Sequence, residues 1–205
     1  MESDNLNQLL QMARQGDRSA FDELFALHQA QLRSFVAMRL DHRVRLRVDV
    51  SDVVQDTQLE AYRRFNDYYD RQPMPFGIWL RKNAYERVLN VRRDHMVAKC
   101  RSMEREQRLD GSPSGLLAKT IAHNLSTPSE RVAKLEFHRQ VTEVIEMLPD
   151  GDREILLMRN VDGLSHQQIA QVLDINATAS RKRYARALMK LEKLLVQNGI
   201  ADEMS

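Results

Sequence analysis

A single cysteine, Cys100, in 205 residues excludes an internal disulfide and any multi-cysteine zinc site, and it fits a reducing compartment. Glycine and proline are scarce, at seven and five residues, so helices are expected rather than a turn-rich β fold. No apolar run approaches the roughly 18 residues of a membrane span. The opening MESDNLNQ lacks a signal-peptide pattern, so the expectation is a soluble, cytoplasmic chain. Catalytic signatures are missing too: there is no Gly-rich phosphate loop and no nucleophile elbow. Asp41-His42 and Asp94-His95 look like metal phosphohydrolase pairs but lack the further His and Asp partners. Neither an enzyme nor a cofactor or metal site is expected.

Charge is what the chain has in quantity. Charged residues make up 29% of it, and the net charge of +2 hides an uneven distribution. Basic clusters at Arg81 to Arg108 and Arg181 to Lys193 are balanced by acids at Asp49 to Glu60 and Glu130 to Glu154. Such blocks suggest separate surfaces for separate partners. The length suits one large domain or two small ones.

The stretch from Asp162 to Leu195 contains two helical patterns around a tight break. Apolar Ile169, Val172 and Leu173 mark the first, and Tyr184, Ala187, Leu188, Leu191 and Leu194 the second. Asn176 can cap the second by accepting N–H bonds that its first turn leaves unpaired. This is a helix-turn-helix pattern. At 100 degrees per residue, Thr178, Arg181, Lys182, Ala185 and Arg186 fall away from the apolar stripe, flanked by Arg183 and Lys190. Arg181 to Lys193 carries six basic residues against one acid, Glu192, which suits polyanion binding. The plainer alternative is a solvated basic face on an ordinary bundle helix.

Earlier in the chain, Leu6, Leu9, Leu10 and Ala13 mark a helix that stops at Gly16. Asp17 or Ser19 then caps a second, striped by Phe21, Leu24, Phe25, His28, Leu32, Phe35 and Val36, with His28 expected to be packed rather than a ligand. Residues 43–50 alternate strictly, but no partner strand is visible, so an extended connector is expected. Ser51 begins a further helix with Asp52 and Asp56 near its positive end. Those acids compensate the helix dipole or, with Gln55, present a docking face for a partner's basic helix. Asn66 to Phe76 reads as a break, followed by a helix with Ile78, Trp79, Ala84, Val88 and Val91 inside and Arg81, Lys82, Arg87, Arg92 and Arg93 along it. Aromatics beside basic residues suit single-stranded nucleic acid, although Trp79 itself reads as core. Residues 103–126 read as a linker around Gly111-Ser112-Pro113-Ser114-Gly115, ending in a capping box at Thr127-Pro128-Ser129-Glu130. The expected architecture is therefore all-α, with helical domains at 1–102 and 127–205.

Taken together, these motifs resemble bacterial RNA polymerase sigma factors of the small, two-domain extracytoplasmic-function class. Ser51 to Thr57 is similar to that family's polymerase-clamp-binding segment, and Phe76-Gly77-Ile78-Trp79-Leu80 to the start of its promoter-melting helix. Leu148-Pro149, Ile155 to Leu157, Gly163-Leu164-Ser165, Ile169-Ala170, Arg183-Tyr184 and Arg186-Ala187 follow its upstream-element-reading domain. The resemblance implies core RNA polymerase and promoter DNA as partners, with an anti-sigma factor as a further one. It implies that Asp52, Gln55 and Asp56 dock on the clamp of the large subunit. Tyr68, Tyr69, Arg71, Phe76, Trp79, Lys82, Arg92 and Arg93 would engage the melted downstream element. Thr178, Arg181 and Lys182 would read upstream bases, with Arg183 and Arg186 on phosphates. The sequence departs from the family at Asp174, where glycine is common, at Ser180, where valine is common, and at Asn83, Tyr85 and Glu86 in the melting helix. A one-component helix-turn-helix regulator is the alternative, and it would need a ligand pocket or dimer interface in the N-terminal half.

Overall fold

The computed structural model describes residues 2–40, 42–45, 47–71, 73–99, 113–123 and 131–200, and within these every regular element is a helix. The chain divides into two compact units, Met1–Arg105 and Glu106–Ser205.

In the first unit, α1 (Glu2–Arg14) ends at Gly16, whose φ of 94° is the left-handed geometry that stops a helix. Asp17 caps α2 (Arg18–Ala37) by accepting from the Ala20 N–H at 3.1 Å. A short α3 (His42–Arg45) follows, then α4 (Val50–Arg63), α5 (Phe65–Arg71) and α6 (Phe76–Lys99). Helices α2, α4 and α6 pack on one another, α1 lies on α2 and α5, and α3 touches α6. Their shared interior holds Leu24, Phe25, Leu32, Phe35, Val53, Val54, Ala61, Leu80, Ala84 and Val88.

Three local expectations are corrected here. The alternating segment is not an extended connector: His42–Arg45 forms a helical turn, with Val44 buried against the unit. The next helix starts at Val50 rather than Ser51, because the Asp49 carboxylate takes the Ser51 N–H at 2.6 Å and that bond holds its pKa down. Most of the break at Asn66 to Phe76 is helix α5, leaving only a short link before α6. Arg64 lies between α4 and α5 as the C-cap of α4. It donates to Asn83 Oδ1 at 3.0 Å and lies 3.8 Å from the Glu86 carboxylate, while Asn83 Nδ2 donates to the Trp79 carbonyl at 2.9 Å. Asn83 and Glu86, two of the residues that depart from the family pattern, thus tie the junction of α4 and α5 to α6.

Gly77 lies where α2 and α6 meet. A Cβ there would sit 2.9 Å from the His28 ring, which burial and the nearby Arg81 hold below its usual pKa. Gly77→Val is accordingly expected to cost about 1–3 kcal/mol through overpacking. His28→Ala in the same chain should return part of that loss in urea unfolding.

The second unit comprises α7 (Pro113–His123), α8 (Arg131–Met147), α9 (Asp150–Asn160), α10 (His166–Leu173) and α11 (Ala177–Gln197). Its core includes Val141, Val144, Ile145, Leu148, Ile155, Leu156, Leu157, Met158, Ile169 and Leu191. The reading of 103–126 as a linker does not hold for Pro113–His123. That segment is a helix packed on α8 and α9 with Leu117 and Ala118 fully buried, and Pro113 opens it at the first helical position, where a missing N–H costs nothing. The remaining linker residues, Cys100, Asp41, the capping box at 127–130 and the side chains of His42, His95, Val132 and Leu135 lie outside the described residues.

Candidate functional site

Helix α11 begins as the sequence indicates, with Asn176 Oδ1 accepting from the Ala179 N–H at 2.7 Å. The sequence reading missed the cap of α10. There Ser165 Oγ accepts from the Gln168 N–H at 3.2 Å while the Gln168 side chain takes the Ser165 N–H at 2.8 Å, a reciprocal box that the spacing Ser165-His166-Gln167-Gln168 already announced. Between the helices, Asp174 adopts φ 55° and ψ 46° and donates its N–H to the Ala170 carbonyl. This is the left-handed position that favours glycine and, after it, asparagine or aspartate. Asp174→Val should therefore lower the stability of this unit by about 1–2 kcal/mol, with Asp174→Gly tolerated, as thermal unfolding of the two variants would read.

The exposed arc of α11 matches the helical winding: Thr178, Arg181, Lys182, Ala185 and Arg186 all face solvent. Arg186 Nε bonds back to the Lys182 carbonyl at 3.3 Å, so the two cations share one ridge. The flanking cations behave differently. The guanidinium of Arg183 rests directly on Gly151 in the first turn of α9, where any Cβ would collide with it, and the half-exposed Lys190 pairs with the largely buried carboxylate of Asp152. The buried stripe is also turned from the expected one. Ser180, Ala187, Leu191 and Leu195 are buried, Tyr184 and Leu194 are partly covered, and Leu188 is 39% exposed.

In the first unit, the residues assigned to the melted strand separate into three groups. Tyr68, Phe76 and Trp79 are core, each at most 6% exposed. Tyr68 stacks on Trp79 at 4.5 Å, Phe76 lies 5.5 Å from Tyr68 and 5.7 Å from Trp79, and Phe21 and Phe65 meet Phe76 edge-on at 6.4 and 6.0 Å. The Tyr68 hydroxyl donates to the Met74 carbonyl at 3.0 Å, and burial pushes its pKa up to about 12. In this conformation those three rings are not available to stack on a base. Arg92 forms the second group, engaged within the fold. Its guanidinium donates to the Arg39 carbonyl at 2.9 and 2.5 Å. Nearby, Arg39 donates to the Phe35 carbonyl and Arg45 to those of Ala37 and Leu40, so three arginines gather on carbonyls at and just beyond the end of α2, the negative end of that helix. The third group remains at the surface. Arg71 and Arg93 are exposed, Lys82 and Tyr69 are half-covered, and Arg14 lies 6.0 Å over the Tyr69 ring while pairing with Asp70 at 3.1 Å. Lys82 and Arg93 fall on one side of α6, about 20° apart by helical winding.

Asp52, Gln55 and Asp56 lie at successive turns on the outer side of α4. Asp52 and Gln55 are exposed, and Asp56 pairs with Arg87 of α6. Beside them is a shallow cavity of about 210 Å³ lined by Arg18, Phe21, Asp22, Gln55, Gln58, Leu59 and Tyr62. Leu59 and Tyr62, 46% and 41% exposed, extend the acidic patch with apolar surface. Among the described residues no helix is long and apolar enough to cross a membrane.

A capped helix-turn-helix with a basic outer arc, preceded by a separate helical unit, defines a protein built to hold DNA at one end. Residues 138–191 match the family described as Sigma-70, region 4. Over 184 residues the chain is 27% identical to the ECF RNA polymerase sigma-E factor of Haemophilus influenzae, spanning 90% of this chain and 92% of that protein. It is 26% identical over 188 residues to the RNA polymerase sigma-H factor of Pseudomonas aeruginosa, covering 92% of each. The fold is similar to that of CnrH in its complex with the cytosolic domain of CnrY, with a TM-score of 0.58 at 24% identity, covering 94% of this chain and 98% of the other. Over about nine tenths of its length the chain is thus similar to bacterial RNA polymerase sigma factors, among them extracytoplasmic-function ones, and its residues 138–191 match the Sigma-70 region 4 family.

Proposed function

We propose that this protein binds core RNA polymerase in the cytoplasm, brings it to a promoter by reading an upstream element with α11, and opens the downstream DNA with the first unit. The observation that carries the reading is the likeness to sigma factors across both units, joined to an outward basic arc on a capped recognition helix. Thr178, Arg181 and Lys182 are the base-reading candidates, because arginine and lysine donate to guanine acceptors in the major groove and threonine meets a base edge or thymine methyl. Arg186 serves the phosphates, which add salt-dependent affinity without sequence information. Arg183 braces α9 and reaches a phosphate only from that seat. Lys82 and Arg93, with Arg71 and Tyr69 at the edge of α5, form the surface for the opened strand. An anti-sigma factor covering the polymerase-binding face is the regulator that this class of protein suggests.

Asp52, Gln55 and Asp56 supply the clamp-docking face, with Leu59 and Tyr62 as its apolar margin. Asp52→Lys with Asp56→Lys should weaken binding to core polymerase at least tenfold, measured by competition for labelled core. Folding should change little, since the Asp56–Arg87 pair is about half exposed on both sides and such pairs contribute roughly 0–1 kcal/mol. The deciding experiment adds the protein to core polymerase on genomic DNA and sequences the 5′ ends of the transcripts. Starts that share an upstream and a downstream element support the reading. No promoter-specific start, with tight duplex binding by the protein alone, would instead indicate a one-component regulator.

A further inference from the structure

Ser180 is fully buried, one turn into the recognition helix, with the base-reading candidates Thr178, Arg181 and Lys182 on either side of it in sequence. A hydroxyl taken out of water needs a partner, and here the partner is the His166 ring at the start of α10, with Nδ1 3.3 Å from Ser180 Oγ. The same ring meets Tyr184 edge to face at 5.4 Å, and Tyr184 in turn donates its hydroxyl to Asn160 Oδ1 of α9 at 3.1 Å. Ser180 and Tyr184 are one turn apart, so a single imidazole holds α11 at two successive turns. Burial and the neighbouring Arg159 and Arg181 cations hold the His166 pKa below its ordinary value, and Nδ1 and Ser180 Oγ share one hydrogen bond whose direction the ring tautomer sets.

We propose that His166 and Ser180 form a positioning pair that fixes the roll of α11, and so determines which bases Thr178, Arg181 and Lys182 discriminate. This rests on the reading of α11 as the helix that reads the upstream element. An apolar residue at Ser180 would hold the helix by contact alone, which has no preferred direction, whereas a hydrogen bond has one. A roll of about 20° moves a side-chain tip at a radius of about 5–6 Å by about 2 Å. That displacement breaks a hydrogen bond of about 3 Å to a base edge while leaving long cations within reach of phosphates.

The test uses polymerase reconstituted with the full chain and a library of promoters varied in the upstream element. His166→Phe keeps a ring against Tyr184 and removes the nitrogen, Ser180→Ala removes only the hydroxyl, and His166→Asn restores a polar atom near the Nδ1 position. His166→Phe and Ser180→Ala are expected to reduce discrimination against single-base changes about tenfold, the scale of one good base contact. The double replacement should lose no more than either alone, since both break one interaction. His166→Asn should recover much of the preference, and the salt dependence of binding should not change. Preference profiles identical to that of the unaltered protein, or losses that add in the double variant, would overturn the proposal. Should His166→Phe fail to fold, Ser180→Ala decides alone. If the unaltered protein itself starts no promoter-specific transcription, the fault lies with the functional reading and not with the pair.

Discussion

Trp79→Ala is expected to destabilise the first unit by about 3–5 kcal/mol and to abolish promoter opening as a consequence of unfolding. The ring is only 6% exposed, stacks on Tyr68 and lies beside Phe76, so truncation leaves a cavity walled by other aromatics that cannot all move in to fill it. Denaturant unfolding followed by circular dichroism measures the loss, and reconstituted transcription shows its consequence. Trp79→Phe separates packing from base contact. It retains an apolar ring at a cost nearer 1 kcal/mol, and promoter opening should survive in proportion to the folded fraction. Opening that collapses in a fully folded Trp79→Phe would show that the indole leaves the core to meet DNA.

Arg181→Ala should lower affinity for the preferred upstream element by about 1–3 kcal/mol and flatten the preference at one base position. Arg186→Ala should weaken all sequences alike and reduce the slope of log affinity against log salt by about one. Both side chains are exposed on α11 and neither holds the helix in place, so neither change should shift the melting temperature appreciably. Measuring binding by the holoenzyme over a range of salt distinguishes the two roles. Equal slopes and equal loss of preference would mean that the arc is a general polyanion surface.

Much of this arrangement was legible in the residues. The helix-turn-helix follows from apolar spacing plus the Asn176 cap, and the outward arc of α11 follows from 100° winding, because both depend on residues within a turn or two of one another. The burial of Trp79 and the packing of His28 were legible for the same reason, since each lies on an amphipathic stripe. The helix over Pro113–His123 was hidden by the run from Gly111 to Gly115, whose composition resembles a linker, although Leu116, Leu117 and Ala118 beside Pro113 carried the opposing signal.

What sequence alone determined is the all-helical class, the helix-turn-helix, the polarity of each helix face and the resemblance to sigma factors, all properties of local periodicity and motif order. What only the tertiary structure decided is the task of each polar side chain within those faces. Arg92 reads as a solvated cation of a basic helix, and the fold sets the carbonyl of Arg39, 53 residues away, within its reach. Tyr68 looks like a base-stacking ring until Trp79 covers it. Ser180 looks like a flaw in an apolar stripe until α10 brings His166 to it. The physical reason is the same in each case: a donor or a ring is committed by whichever partner folding brings within about 3–6 Å, and that partner comes from another element of the chain.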